Sequence, residues 1–155
     1  MAFEADVSSF RAPDTHIFVE RAVVCVDIVE FVRLTERDEA STIARWRALV
    51  DRVEAVILPP LGGQLLGLPG DGMVLVFESV PSAWAAARQI QDLAHASNEG
   101  FEVADRMFFR VGIEFAEVLV DRGMVFGHGV NLASRLAGLG RPGDVVLSER
   151  AFQRL

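Results

Sequence analysis

The sequence predicts a single α+β domain with a ferredoxin-like βαββαβ core extended by a further βαβ unit. Short apolar, β-branched runs alternate along the chain with segments in which apolar residues recur every three or four positions; these are the periods of buried strands and amphipathic helices. The first six segments follow the order of a split βαβ unit. A chain of 155 residues, 51% of them hydrophobic, can bury one substantial core and is too short for two ordinary domains.

The first strand and the first helix have the clearest patterns. Residues 21–27 read RAVVCVD, an apolar run typical of a fully buried strand, and this run ends in a carboxylate. From Glu39, apolar residues at helical spacing predict a helix. We expect Pro59 and Pro60 to end it, because proline lacks the N–H that continues a helix. Residues 1–20 are expected to form a loosely attached lead-in, so the predicted domain covers residues 21–155.

A hairpin and a second helix are predicted next. Two short apolar runs, 64–66 and 73–77, flank the segment GLPGDG, whose composition predicts a turn between two strands. Ser82 is the predicted N-cap of the following helix, and Asn98 and Gly100 are expected to end it.

The last third of the chain is expected to form a strand, a hairpin-like pair of strands, a helix and a final strand, at residues 107–113, 118–120, 124–126, 130–139 and 144–147. Crossover connections in such a sheet are right-handed, which brings the end of the first strand and the turn after the second strand to the same edge. We therefore expect Asp27 and Asp71 to converge.

The composition excludes several classes of function. A formal net charge of -7 argues against a nucleic-acid backbone as the main partner, because phosphate binding needs clustered cations. No apolar run reaches the roughly 18 residues that cross a bilayer, so no membrane insertion is expected in this segment. The acidic start does not resemble a secretory signal, which favours a cytoplasmic location. The 15 basic residues are all arginine, which removes lysine-dependent mechanisms, and the single Cys25 is interpreted as core packing.

Asp27 and Asp71 are candidate metal ligands. Two convergent carboxylates repel each other, and one at the end of a buried strand is costly unless it is paired or bound to a cation. Oxygen ligands without His or Cys nearby favour Mg²⁺ or Mn²⁺. The alternative for each residue is structural, because Asp-Gly is a frequent hairpin turn and an Asp at the end of a strand often caps a helix.

Asn131 and Arg135 are candidate catalytic residues. They are four residues apart in the predicted helix, so both project from one face. A guanidinium suits the charge that develops on a phosphoryl group, and an Asn can hold a ribose oxygen nearby. Alternatively, Arg135 lies on a solvated face and Asn131 caps the helix.

Five sequence blocks occur in the order and at close to the spacing of one enzyme family. They read VVCVDIVEFVRLT, GGQLLGLPGDGMVLVF, FRVGIEFAEVLV, FGHGVNLASRLA and RPGDVVLSE. On these blocks, the chain from Arg21 to Leu155 resembles the catalytic domain of class III adenylyl and guanylyl cyclases, particularly bacterial ones. The resemblance implies the nucleotide cyclase fold and the conversion of a nucleoside triphosphate to a 3′,5′-cyclic nucleotide and pyrophosphate in a signalling pathway.

The resemblance also implies roles for individual residues. Asp27 and Asp71 match the aspartates that bind two Mg²⁺ or Mn²⁺ ions, with the backbone carbonyl of Ile28 as a further ligand. Asn131 and Arg135 match the pair that stabilises the transition state. The family's active sites lie between two protomers, with the metal aspartates from one and the Asn/Arg pair from the other, so the resemblance implies a head-to-tail homodimer and an inactive monomer.

Two expected substrate-binding positions depart from the family. Gly67 stands where the family has a Lys that reads the purine, and Met124, seven residues before Asn131, stands where it has Asp or Thr. Neither side chain offers a useful hydrogen bond to a base, so adenine, guanine and pyrimidine all stay open. The other expected substrate-binding residues are Gly70, Gly72 and Phe31.

A third departure concerns the end of the domain. The family usually has a further hairpin carrying a Lys that grips the terminal phosphates, and this sequence ends at Leu155. Either the sequence is part of a longer chain, or phosphate binding falls to an arginine or to the metal alone. His128, where many relatives have Asp, is interpreted as an ordinary loop histidine.

Two other functions compete with cyclase activity. A catalytically degenerate cyclase homology domain would bind nucleotide or a partner and act as a regulatory dimerisation module, which the altered positions 67 and 124 favour. A ferredoxin-like interaction domain without nucleotide would have no need of Asp27 and Asp71. The diguanylate cyclase domain shares the βαββαβ core, but its Gly-Gly-acidic-acidic-Phe hairpin is absent from this sequence.

Overall fold

The computed structural model describes residues 17–122 and 124–155 as one six-stranded sheet with helices packed on both faces. The strands are β1 (Ile17–Ile28), β2 (Gln64–Gly67), β3 (Gly72–Phe77), β4 (Phe109–Asp121), β5 (Met124–Phe126) and β6 (Val145–Leu147). The α-helices are α1 (Phe31–Arg52), α2 (Leu58–Leu61), α3 (Val80–Ser97), α4 (His128–Leu139) and α5 (Glu149–Phe152). Within these ranges, every helix is too short or too polar to cross a lipid bilayer.

Strand β1 lies at the centre of the sheet. The spatial order is β2-β3-β1-β4-β5 with antiparallel neighbours, and β6 pairs in parallel with β4. The third strand thus lies antiparallel between the first two, which confirms the predicted ferredoxin-like core. β1 begins at Ile17, four residues before the predicted domain boundary. The rest of the predicted lead-in, residues 1–16, lies outside the described residues.

The two faces of β1 are buried in different parts of the core. Val24 and Val26 belong to the large apolar cluster under α1 and α3, whereas Val23 and Cys25 belong to a smaller cluster under α4. Successive strand residues point to opposite faces, so burial on both faces requires a continuous apolar run. Each fully buried valine-sized side chain contributes about 1.5–3 kcal/mol. This double burial anchors the strand that carries Asp27 at its end.

Helix α1 begins at Phe31, eight residues before the predicted start. Asp38 breaks the helical backbone with φ -157°, and its Oδ1 accepts a hydrogen bond from the Ser41 N–H at 3.0 Å, as an N-cap does. The predicted start at Glu39 therefore matches the part of α1 after the break. The part before it is only about two turns long, which is too short to show a hydrophobic period.

The prediction that Pro59 and Pro60 end the first helix is wrong. The helical path continues from α1 through a π-helical turn at Val53–Ile57 and through α2, and it ends at Gly62 with φ +66°. Both prolines lie in the first turn of α2. Backbone N–H groups in a first turn have no acceptor within the helix, so the missing N–H of proline costs no hydrogen bond there. The wider π-helical turn before them accommodates the change of hydrogen-bond pattern.

Ser79, not Ser82, is the N-cap of α3. The Ser79 hydroxyl accepts a hydrogen bond from the Ser82 N–H at 3.3 Å, and α3 begins directly after Ser79. Pro81 fits the first helical turn, so the helix starts earlier than predicted. Asn98 ends α3 as predicted, and Gly100 follows with φ +78°.

Strand β4 is one 13-residue strand where the sequence predicted two. The predicted gap at residues 114–117 is paired with β1 along its length. Glu114 is buried, and its carboxylate accepts hydrogen bonds from the Ser148 hydroxyl at 2.8 Å and from the Phe115 N–H at 2.9 Å. A polar residue inside an apolar run suggests a break, but these bonds satisfy it within the sheet.

Helix α4 packs directly on the sheet. A Cβ atom at Gly112 of β4 would lie 2.1 Å from the Ala133 carbonyl oxygen and 2.5 Å from the Ala137 nitrogen, so only glycine permits this approach. α4 begins at His128, so this residue, interpreted from the sequence as a loop histidine, is the exposed first residue of the helix. The close packing fixes the face of α4 that carries Asn131.

Candidate active site

Asp27 and Asp71 meet where the end of β1 adjoins the β2–β3 turn, as predicted from the sequence. Asp27 lies opposite Gly72 in the β1–β3 register, and the Ile28 N–H donates to the Asp71 carbonyl oxygen at 2.9 Å. A Cβ at Gly72 would lie 2.2 Å from the Val26 carbonyl oxygen. The glycine therefore lets the β2–β3 turn close against the end of β1, which brings both aspartates to the same place.

Both aspartates line one cavity of about 530 Å³ between the β2–β3 hairpin and α4. Its polar side chains are those of Asp27, Asp71, Asn131 and Ser134, apart from the thiol of Cys25. The rest of the wall is apolar or glycine and comes from Val26, Leu66, Gly67, Leu68, Pro69, Gly72, Met73, Val74, Val125, Val130 and Ala137. One end of the cavity thus offers carboxylate oxygens, and α4 offers an amide and a hydroxyl.

The structure separates the two predicted catalytic residues. Asn131 lines the cavity together with Ser134, one turn further along α4. Arg135 is exposed and is not part of the cavity wall. Ser134 did not emerge from the sequence analysis. Its position three residues after Asn131, on the same helical face, is the signal that could have found it.

Cys25 lies between β1 and α4 at the cavity wall. Its Sγ donates a hydrogen bond to the Val130 carbonyl oxygen at 3.6 Å. Burial, and to a lesser extent the negative charge of Asp27, raises the pKa of the thiol to about 11. Cys25 therefore stays protonated at neutral pH and is a packing residue, as interpreted from the sequence.

Arg110 is a residue of the site that sequence reasoning missed. It lies opposite Asp27 in the β1–β4 register, and its guanidinium donates to the Asp27 carboxylate at 2.5 Å. Side chains directly opposite each other in neighbouring strands share a face and interact. The two residues are 83 positions apart in the chain, so only the strand register reveals the pair.

The expected substrate-binding residues are dispersed. Gly67 and Gly72 line the cavity. Gly70 lies in the exposed turn with φ +40°. Phe31 packs against the large apolar cluster, and Met124 is 55% exposed on β5; neither residue belongs to the cavity wall. Gly70 is not part of the cavity wall either, so the cavity is formed without three of the five expected contacts.

The donors for a metal are few. Residues 17–122 and 124–155 contain no group of three or more His, Cys, Asp or Glu side chains that could hold an ion. Asp27 and Asp71 alone are thus an incomplete ligand set. Such a set suits Mg²⁺ or Mn²⁺, which are usually bound by one or two carboxylates together with substrate phosphates.

The chain is similar to several nucleotide cyclases. It is 33% identical over 145 residues to an adenylate cyclase of Streptomyces coelicolor, which covers 92% of this chain and 36% of that protein. It is 31% identical over 146 residues to an adenylate cyclase of Streptomyces griseus, with coverage of 93% and 35%. The chain thus spans about a third of the length of these curated relatives.

A solved structure agrees with these relatives. The crystal structure of an adenylate/guanylate cyclase/hydrolase from Silicibacter pomeroyi matches with a TM-score of 0.77 and 28% identity. The match covers 89% of this chain and 80% of that chain. No family model matches the sequence.

Proposed function

We propose, from the premise that the chain belongs to the class III adenylyl and guanylyl cyclase family, that this domain converts a nucleoside triphosphate to a 3′,5′-cyclic nucleotide and pyrophosphate. One observation carries the proposal: Asp27, Asp71 and Asn131 line the same cavity. Its volume of about 530 Å³ lies within the roughly 300–1,000 Å³ range of small-molecule sites. The cavity can therefore hold a nucleotide beside paired carboxylates.

Asp27 and Asp71 would hold two Mg²⁺ or Mn²⁺ ions, with the Ile28 carbonyl as a further ligand. Both carboxylates border the cavity, and Cys25, the soft donor beside them, stays a protonated thiol. Oxygen atoms of the triphosphate would complete the coordination. When bound, the metal polarises phosphate oxygens and neutralises the charge that develops on them.

The proposed reaction is an in-line displacement at the α-phosphorus. The ribose 3′-oxygen forms a new bond to this phosphorus, the bond to the bridging oxygen of the β-phosphate breaks, and the 3′-hydroxyl proton is lost. Pyrophosphate leaves. Asn131 would orient the ribose through its side-chain amide, and Arg135 would neutralise negative charge on the phosphoryl oxygens.

A head-to-tail homodimer would supply the missing arginine. Arg135 is exposed and lies outside the cavity of its own chain, so the partner subunit's Arg135 would complete the site. Asn131 lines the cavity of its own chain, which departs from the resemblance, where both residues come from the partner. Exposed apolar side chains at the start of β1 and in the β4–β5 hairpin offer a contact surface: Ile17, Phe18, Met124 and Phe126 are 60%, 61%, 55% and 47% exposed. Large exposed apolar side chains grouped in this way favour an interface.

The base would be held without hydrogen bonds from positions 67 and 124. Gly67 has no side chain, and the cavity wall beside it consists of Leu66, Leu68 and Val74. An apolar wall discriminates poorly between bases, because it presents no polar group that the wrong base would leave unpaired. We therefore propose relaxed base selectivity, with ATP and GTP both accepted.

The test is product formation from ATP, GTP, CTP and UTP separately, each with Mn²⁺. Cyclic nucleotide and pyrophosphate are measured for the wild type, Asp27→Ala and Arg135→Ala. The matched controls are Asp51→Ala and Arg88→Ala, which change exposed helical residues of the same types. We expect Asp27→Ala and Arg135→Ala to lower kcat at least about 100-fold, as loss of a charge-stabilising group does. The two control variants are expected to retain activity.

The opposite result has a defined meaning. A folded, dimeric protein that releases no pyrophosphate from any of the four triphosphates would contradict the proposal. The regulatory cyclase homology domain would then be the better description, and nucleotide binding without turnover would support it.

A further inference from the structure

The carboxylate proposed to bind metal already has a cationic partner. Arg110 donates to Asp27 Oδ2 at 2.5 Å, and both side chains are 29% exposed. The pair is therefore sheltered from solvent on most of its surface, and solvent screening weakens it less than it weakens a surface ion pair.

The sheet imposes this pairing. Asp27 lies between Gly72 on β3 and Arg110 on β4 in the strand register. Glycine has no side chain, so Arg110 is the one cross-strand neighbour whose side chain can reach the Asp27 carboxylate. The Nε atom of Arg110 is buried and has no hydrogen-bond partner among the described residues. Arg110 is thus held at this position by Asp27 rather than by a network of its own.

A divalent cation and this guanidinium compete for the same carboxylate. A metal ligand must place its oxygen about 2.0–2.1 Å from Mg²⁺, whereas Oδ2 of Asp27 now accepts a charge-assisted hydrogen bond. A guanidinium beside a bound divalent cation is also repelled by it. Metal binding through Oδ2 of Asp27 therefore requires Arg110 to withdraw from that oxygen.

We propose that Arg110 is a positioning residue that holds the Asp27 carboxylate in the metal-free protein and sets its metal affinity by exchanging places with the cation. This inference rests on the proposed function only in taking Asp27 as a metal ligand. Arg110 balances the negative charge of the Asp27 carboxylate until a metal ion binds, and it lowers the affinity of the site for a metal ion that arrives without nucleotide. The site then favours metal that arrives with a triphosphate, whose negative charge offsets the arginine.

The experiment measures Mn²⁺ binding to the nucleotide-free protein by titration calorimetry. The variants are Arg110→Gln, which removes the charge, Arg110→Lys, which keeps it, and Asp27→Asn. We expect Arg110→Gln to bind Mn²⁺ at least tenfold more tightly than the wild type, and Arg110→Lys to stay within about threefold of it. If the wild type shows no measurable Mn²⁺ binding and Arg110→Gln does bind Mn²⁺, the result supports the proposal equally.

A thermal readout accompanies the titration. Arg110→Gln leaves the Asp27 carboxylate uncompensated, so its Tm without metal should fall, and Mn²⁺ should raise its Tm more than it raises that of the wild type. Arg37→Gln is the control, because it breaks the exposed Arg37–Asp105 ion pair, which does not line the cavity, and it should leave the Mn²⁺ response unchanged. The double variant Asp27→Asn/Arg110→Gln removes both charges and provides a folded reference.

The experiment distinguishes failure of the role of Arg110 from failure of the proposed metal site at Asp27. Unchanged or weaker Mn²⁺ binding in Arg110→Gln, with binding lost in Asp27→Asn, would overturn the role of Arg110 and leave the metal site of the proposed function intact. Mn²⁺ binding that persists in Asp27→Asn would overturn the metal assignment of Asp27 and this inference with it. Cyclase activity is not needed for either conclusion.

Discussion

The buried thiol of Cys25 is expected to make the described fold less stable at alkaline pH. The sequence contains no Lys and no Tyr, so the thiol is the one side chain expected to titrate between pH 9 and pH 11. Burial raises its pKa from 9.0 to about 11. Because the pKa of the thiol is higher in the folded than in the unfolded protein, the protonated thiol favours the folded state. This contribution to the free energy of unfolding is fully present below about pH 9 and is lost as the pH rises towards 11.

The prediction is a loss of about 2 kcal/mol in the free energy of unfolding between pH 8.5 and pH 11, which corresponds to a pKa shift of this size. Urea unfolding at several pH values measures it. Cys25→Ala is expected to be less stable than the wild type at pH 8.5 but to lack this slope, so the two stabilities approach each other as the pH rises. Parallel pH profiles for the two proteins would contradict the assignment.

Gly67 offers a test of base recognition. No atom lies within 4 Å of a Cβ built at this position, so a longer side chain can enter the cavity without displacing the backbone. Gly67→Lys adds a hydrogen-bond donor to an otherwise apolar wall. We expect it to change the ratio of kcat/KM for ATP and GTP at least tenfold, because a polar group penalises the base that leaves it unpaired. Gly67→Ala adds volume without a donor, and an equal change in both variants would refute this explanation.

At the scale of elements, the packing of α4 on β4 decides where Asn131 lies. Gly112→Ala would push a Cβ against the backbone of Ala133 and Ala137, which cannot rotate away as a side chain can. We expect a destabilisation of about 1–3 kcal/mol, the cost of overpacking, measured by urea unfolding. Nucleotide turnover should fall as well, because α4 must move outward and carry Asn131 with it.

Gly138→Ala is the matched control within α4. Its Cβ meets no atom within 4 Å, and alanine favours the helix by up to about 1 kcal/mol. This variant should be at least as stable as the wild type. A Gly112→Ala protein as stable as Gly138→Ala would show that α4 does not depend on the close approach.

At the scale of the whole molecule, the proposed head-to-tail homodimer makes a quantitative prediction. Asp27→Ala and Arg135→Ala should each be inactive, and their equimolar mixture should regain about a quarter of wild-type activity. Random exchange makes half of the dimers mixed, and each mixed dimer has one intact site of two. Activity measured after subunit exchange tests this. A mixture that stays inactive would contradict a site shared between protomers.

The exposed apolar side chains on the β4–β5 hairpin provide a second test of the same assembly. Phe126 is 47% exposed and lies beside Leu119 in the β4–β5 register. Phe126→Glu should shift the protein towards monomer in sedimentation analysis and lower activity in proportion, while leaving the Tm within a few degrees. Glu36→Gln, a change on the exposed surface of α1, is expected to leave the oligomeric state unchanged.

Much of the fold follows from local patterns along the chain. Three patterns were sufficient to predict the ferredoxin-like core and the meeting of the two aspartates. They are the apolar run before Asp27, the turn composition around Asp71-Gly72 and the helical spacing after Glu39. The five ordered blocks identified the family, and the comparisons confirm it. The metal and catalytic roles of Asp27, Asp71, Asn131 and Arg135 stay predictions.

Tertiary structure decided what depends on partners distant in the chain. The Asp27–Arg110 pair follows from the β1–β4 register, and the continuity of β4 follows from the bonds of the buried Glu114 to Ser148. The structure also shows that Asn131 lines the cavity whereas Arg135, one turn further along α4, does not. Hydrophobic periodicity and turn composition report burial and hydrogen bonding over a few residues. They carry no information about which side chains a register brings face to face, and that is why the sequence alone identified the aspartates but not their arginine partner.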